Sequence, residues 1–136
     1  MESRPLNADL PDLLTGVLDA VAAASAAILE VYASSHDVEY KADESPITLA
    51  DRAAHDILAT RLRLLTPEIP VISEEAESTH AFETRRRWRE FWLVDPLDGT
   101  REFIGRNGEF TVNVALVQDH EPVLGVVAAP ALGLTY

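Results

Sequence analysis

The sequence contains no cysteine, which removes disulfides, thiolate zinc sites and cysteine nucleophiles from consideration and accords with a reducing compartment. Basic residues are scarce as well. Lysine and arginine together number 11 against 23 aspartates and glutamates, for a formal net charge of −12. A chain this acidic disfavours nonspecific attachment to nucleic acid or to an anionic membrane. His36, His55, His80 and His120 lack paired metal-ligand spacing, so each reads as a surface or hydrogen-bonded histidine. No Gly-x-Ser-x-Gly elbow occurs, and no glycine-rich lysine loop for a nucleoside triphosphate. Met1-Glu2-Ser3-Arg4-Pro5-Leu6 has no apolar signal core. The longest apolar-looking stretch, Val17 to Val31, is interrupted by Asp19 and Glu30 and reads as too short to span a bilayer. The expectation is a chain with no polymeric nucleic-acid partner and no membrane insertion.

What the sequence does hold suits one α+β unit. Its 136 residues fit a single domain, and 47% hydrophobic residues supply a core, although many are small alanines. Leu10, Leu13, Leu14, Val17, Leu18, Val21 and Ile28 recur at helical spacing and predict a helix from about Asp9 to Ala33. Ala50, Ala53, Ala54, Ile57, Leu58, Leu62 and Leu65 predict a second from about Thr48 to Leu65, ended by Thr66-Pro67. Residues 76–90 form a polar connection with a helical piece around 82–88. Its Arg85-Arg86-Arg87 run reads as a solvated face, with a substrate phosphate as the alternative target. Phe110, Val112, Val114 and Leu116 alternate with Thr111, Asn113, Ala115 and Val117, predicting a strand. A turn at Asp119-His120-Glu121-Pro122 then leads to a partner strand from Val123 to Ala128. Two long helices laid on a largely antiparallel sheet is the expected architecture.

The chemistry concentrates in carboxylates. Phe91-Trp92-Leu93-Val94 reads as a strand with Asp95 at its carboxyl end, followed by Pro96-Leu97-Asp98-Gly99-Thr100. Asp98-Gly99-Thr100 would open the next helix, Arg101 to Ile104, where unpaired N–H groups and the dipole favour an anion. Hard oxygen ligands for a divalent cation then lie beside a cradle for phosphate, as in many phosphoryl-transfer sites. The plain alternative is an Asp-Pro/Asp-Gly turn. Pro70-Val71-Ile72-Ser73-Glu74-Glu75 is a short apolar strand ending in two carboxylates, of which only one can face a given metal. Thr48 and Asp51 have the spacing of a helix-start capping pair, and Asp51 otherwise complements the helix dipole. An EF-hand starting at Asp95 fails, because Leu97 and Gly99 occupy ligand positions. An Asp-x-Asp phosphoenzyme pair fails too, since Asp95 and Asp98 are three apart.

Ser45-Pro46-Ile47-Thr48-Leu49-Ala50-Asp51, then Val71-Ile72-Ser73-Glu74-Glu75, then Trp92-Leu93-Val94-Asp95-Pro96-Leu97-Asp98-Gly99-Thr100 resemble the magnesium-dependent inositol monophosphatase superfamily. Asp98-Gly99-Thr100-Arg101-Glu102-Phe103-Ile104 and Arg106-Asn107-Gly108-Glu109-Phe110-Thr111-Val112-Asn113 resemble its CysQ-type 3′(2′),5′-bisphosphate nucleotidase branch. The resemblance implies the layered sugar-phosphatase sandwich, a cytoplasmic enzyme of sulfur metabolism and a small phosphorylated substrate. It implies Mg²⁺, two or three ions, held by Glu74, Asp95, the Leu97 carbonyl and Asp98, with Asp95 bridging two of them. Thr100, together with Asp51 or Glu74, would orient and deprotonate water, while Gly99 and Thr100 N–H groups bind the phosphate. The favoured reaction is removal of the 3′-phosphate of 3′-phosphoadenosine 5′-phosphate. An inositol or sugar phosphatase is the alternative, and an inactive metal-binding fragment is the alternative of another class. The family supplies a further aspartate from a Trp-Asp motif, yet neither Trp88 nor Trp92 is followed by Asp, and Leu134-Thr135-Tyr136 ends within an apparent strand. Residues 1–136 therefore read as the amino-terminal portion of such an enzyme.

Overall fold

The computed structural model describes residues 6–34, 46–73, 88–99 and 108–136. Two helices, α1 (Leu6–Ser34) and α2 (Pro46–Leu65), precede five strands: β1 (Val71–Ser73), β2 (Glu90–Asp98), β3 (Thr111–Gln118), β4 (Glu121–Ala129) and β5 (Leu134–Thr135). A 3₁₀ turn, Pro130–Leu132, joins the last two, with Gly133 in the left-handed conformation behind it. The strands lie in chain order in one sheet. β1 runs parallel to β2, and the remaining pairings are antiparallel. This is the expected α+β arrangement on a largely antiparallel, strictly mixed sheet.

The helices pack on one face of the sheet. α1 contributes Leu13, Val17, Ala20, Val21, Ala24 and Ile28 to the core, and α2 contributes Ala50, Ala54, Leu58 and Leu62. The small residues matter because they let the helix backbones approach closely. Gly16 belongs to the same contact, since a Cβ there would come within 2.7 Å of the Leu65 side chain. Leu14 and Leu18, expected on the buried face, are each 39% exposed. Alanine fills the contact while the bulkier leucines flank it, a choice that apolar periodicity alone does not reveal. Leu10–Ala33 is also long and apolar enough to cross a membrane by length and composition alone, which corrects the reading of Val17 to Val31 as too short. One stripe of that helix is packed against α2 and the sheet, as in a core helix.

From the sheet, Trp92, Val94, Val112, Val114, Leu116 and Val126 point into this core. Burying side chains of this size stabilises by roughly 1.5–3 kcal/mol each. Phe110 is fully buried and its ring meets that of Tyr32 with centroids 4.9 Å apart. Among the described residues, the one buried polar residue is Thr66, just past α2. Its hydroxyl donates to the Leu62 carbonyl (3.0 Å) and accepts from the Trp92 indole N–H (2.8 Å). Both buried groups are thereby satisfied, as burial demands.

The β3–β4 hairpin is tighter than the sequence suggests. Asp119 and His120 both have positive φ, the conformation of a two-residue type I′ turn whose twist matches the flanking strands. Glu121 and Pro122, expected in the turn, begin β4 instead. Pro122 pairs with Val117 where the register shifts, a place where the missing N–H is tolerated. Arg89 secures the turn: its Nε donates to Asp119 Oδ1 (2.9 Å), and its carbonyl accepts from the Asp119 N–H (2.7 Å).

Candidate active site

Asp95 does not end its strand. β2 continues through Pro96, Leu97 and Asp98, which corrects the expectation of a strand end at Asp95; the helix expected beyond Asp98-Gly99-Thr100 lies outside the described residues. Residues three apart on a regular strand face opposite sides, so this extension would separate the two carboxylates. A bulge prevents that. Asp95 pairs with Asn113 and Asp98 with Thr111, with an irregularity between them. Three steps along β2 therefore match two along β3, and the extra residue restores the parity. Directly paired residues share a face, and Asn113 and Thr111 lie on one face, where the Asn113 amide donates to the Thr111 hydroxyl (3.1 Å). Asp95 and Asp98 consequently share the face opposite the helices.

The residues between them serve the core. Pro96 and Leu97 are buried, and Leu97 is only 5% exposed. That side chain is packed in the core, so the cation role expected of Leu97 falls to its backbone carbonyl alone. Gly99 follows at φ +100°, a conformation that residues with a Cβ rarely adopt. The strand exit is thus shaped by glycine at the position expected to meet phosphate. Asp95 is half-buried and Asp98 exposed, so one is held by the sheet while the other faces water.

Asp51 lies on α2. The helix begins at Pro46, a residue favoured at a first helical position, and its first turn contains no acidic residue. Thr48 is therefore inside the helix, and Asp51 is beyond reach of a strong dipole effect, which fades after the first turn. The capping account of Asp51 is set aside, leaving a half-buried carboxylate on a helix that packs against β1 and β2. One turn further, His55 Nδ1 and Ser73 Oγ share a hydrogen bond of 2.9 Å.

Among the described residues, no group of three or more His, Asp or Glu side chains could hold a metal ion. Asp51, Asp95 and Asp98 do not form such a cluster by themselves. Glu74 and Thr100, the other members of the expected site, lie outside the described residues, as do Glu75, Arg85-Arg86-Arg87 and the expected helical pieces at 82–88 and 101–104. Asp95 and Asn113 border a hollow of about 210 Å³ on the open face, shared with Leu93, Ala115, Gly125 and Val127. That is smaller than the roughly 300–1,000 Å³ of ordinary ligand sites, so the hollow alone does not enclose a nucleotide. Asn113 entered the sequence reading only as part of a longer run. Its place across from Asp95 is set by the β2–β3 register, which the sequence pattern alone does not disclose.

The model of the inositol monophosphatase family matches residues 9–136. A relative from Salmonella typhimurium, 3′(2′),5′-bisphosphate nucleotidase CysQ, is 56% identical over 112 residues, covering 81% of this chain and 45% of the relative. CysQ from Bacteroides thetaiotaomicron, a bacterial member of the same family, superposes with a TM-score of 0.77 at 44% identity, over 88% of this chain and 42% of that one. An inositol monophosphatase from Zymomonas mobilis gives a TM-score of 0.74 at 30% identity, over 92% and 46%. The chain spans under half the length of each of these relatives.

Proposed function

This chain belongs to the inositol monophosphatase family, and we propose that it carries the acidic half-site of a cytoplasmic Mg²⁺-dependent 3′(2′),5′-bisphosphate nucleotidase. The observation that carries the reading is the β2 bulge, which turns Asp95 and Asp98 to one face in a chain 56% identical to a nucleotidase of that name. The donors are hard oxygens, which suits Mg²⁺ rather than a softer metal. Asp95, Asp98, the Leu97 carbonyl and Glu74 would hold the ions. Bound there, Mg²⁺ supplies the positive charge that offsets the phosphate and lowers the pKa of water.

The chain's own groups do the rest. Gly99 and Thr100 N–H groups bind phosphate oxygens as the backbone leaves β2. Thr100 Oγ orients a water, and the carboxylate of Asp51 or Glu74, hydrogen-bonded to it, takes up the proton. The water oxygen bonds to phosphorus as the ester bond to the 3′ oxygen breaks, and that oxygen takes up a proton from solvent. Phosphate leaves without a covalent phosphoenzyme. The substrate is 3′-phosphoadenosine 5′-phosphate, and its sulfated precursor is a second candidate. Phosphate release by the protein from its complete reading frame tests this: the specificity constant for 3′-phosphoadenosine 5′-phosphate should exceed that for inositol 1-phosphate. The reverse order would make it an inositol phosphatase.

A further inference from the structure

His55 does no chemistry in the reading above, yet it is half-buried and bonded across two elements. We propose that His55, acting through Ser73, is a positioning residue that fixes α2, and with it Asp51, against the carboxyl ends of β1 and β2. The inference rests on the phosphatase reading of the same site.

Three placements carry it. Asp51 and His55 are four residues apart on α2, so they are neighbours on one side of that helix. Ser73 is the last residue of β1 and stands in register with Val94, next to Asp95. Directly registered side chains share a face, and Val94 points into the helix-covered core. Ser73 is thus turned toward α2 while Asp95 is turned away. The 2.9 Å bond ties the Asp51-bearing helix to the strand alongside Asp95, and Glu74 is the next residue in sequence. Among the described residues β1 spans three positions, all paired with β2, so a side-chain tie there adds to that ladder.

A bond that merely filled a polar gap would affect stability and little else. One that sets the Asp51–Asp95 geometry would affect turnover, because an error near 1 Å can cost about a hundredfold. The test uses the protein from its complete reading frame and Mg²⁺-dependent release of phosphate from 3′-phosphoadenosine 5′-phosphate. His55→Ala and Ser73→Ala should each lower kcat about tenfold with KM little changed. The double variant should fall within about twofold of the worse single one, since both remove the same contact. His55→Asn, which keeps a polar nitrogen or oxygen near the Nδ1 position, should restore most of the rate. Thermal melts establish that each variant is folded. Unchanged kcat in the alanine variants, losses that multiply in the double variant, or His55→Asn as impaired as His55→Ala would overturn the positioning role alone. Absence of Mg²⁺-dependent hydrolysis in the unaltered protein would overturn the phosphatase reading, and this inference with it.

Discussion

Asp95 is the residue on which the proposed site turns. It is half-buried in the sheet, sits across from Asn113 and shares a face with Asp98. Carboxylates gathered on one face repel, so affinity for a cation and destabilisation of the ion-free state have a common origin. Asparagine keeps the shape of Asp95 but removes its charge and replaces one acceptor oxygen with an N–H donor. In the protein from its complete reading frame, Asp95→Asn should weaken Mg²⁺ or Mn²⁺ binding by at least about tenfold, an effect of the size seen even for groups behind the metal ligands. Its metal-free melting temperature should be unchanged or higher. Titration calorimetry reads the first and thermal melting the second; unchanged metal affinity would remove Asp95 from the ligand set. The Asp-Pro-Leu-Asp-Gly spelling identifies this neighbourhood in sequence, but it does not disclose why a three-residue spacing works. The answer is a bulge, defined by where β3 happens to pair. His55 was legible only as a histidine without a metal-ligand partner, because its tie to Ser73 spans 18 positions of chain.

At the scale of elements, strong periodicity was enough for type and approximate limits. α2 ends at Leu65 as Thr66-Pro67 requires, and the buried alternation of β3 matches Val112, Val114 and Leu116. Less legible were choices made by tertiary contact: alanines over leucines in the α1 contact, the onward run of β2, and a two-residue hairpin. That hairpin yields a prediction with a definite sign. Hydrogen bonding from Arg89, reinforced by its charge, holds the Asp119 carboxyl below the usual carboxylate range. A depressed folded-state pKa contributes stability above the unfolded value, about 3.9, and that stability is lost as pH falls through the folded value. Both side chains are well exposed, 81% and 57%, so screening keeps the contribution small. Asparagine tolerates positive φ, which leaves the charge as the main change in Asp119→Asn. This variant should melt slightly below wild type at neutral pH and low salt, and the gap should close as pH drops below about 4 or as salt is added. A gap that persists undiminished in acid would mean the turn conformation, rather than the Arg89 contact, had been disturbed.

For the molecule as a whole, the two faces of the sheet are unequal. One is sealed by α1 and α2, while the other exposes Leu93 and Val127, each 41% accessible, around Ala115 and Gly125. Exposed apolar patches on a sheet favour association, and two-residue β5 gives only a short cover to the β4 edge. The net charge of −12 opposes association at low salt but is screened over about 10 Å at 0.1 M salt. Residues 1–136 expressed alone should therefore associate increasingly as salt rises, and sedimentation can follow it. Leu93→Gln with Val127→Thr should reduce that association with little loss of melting temperature, because neither side chain belongs to the sealed core. The same chain holds, among its described residues, too few converging acids for a metal cluster, and it spans 45% of its nucleotidase relative. In the proposed Mg²⁺ site, an incomplete ligand set would remove several kcal/mol of transition-state stabilisation, equivalent to a rate loss of at least about a thousandfold. Side-by-side phosphate release by residues 1–136 and by the protein from its complete reading frame should differ by at least that factor. Near-equal turnover by a monomeric 1–136 would mean that Asp51, Glu74, Asp95 and Asp98 suffice for catalysis, and that the open face needs no further cover.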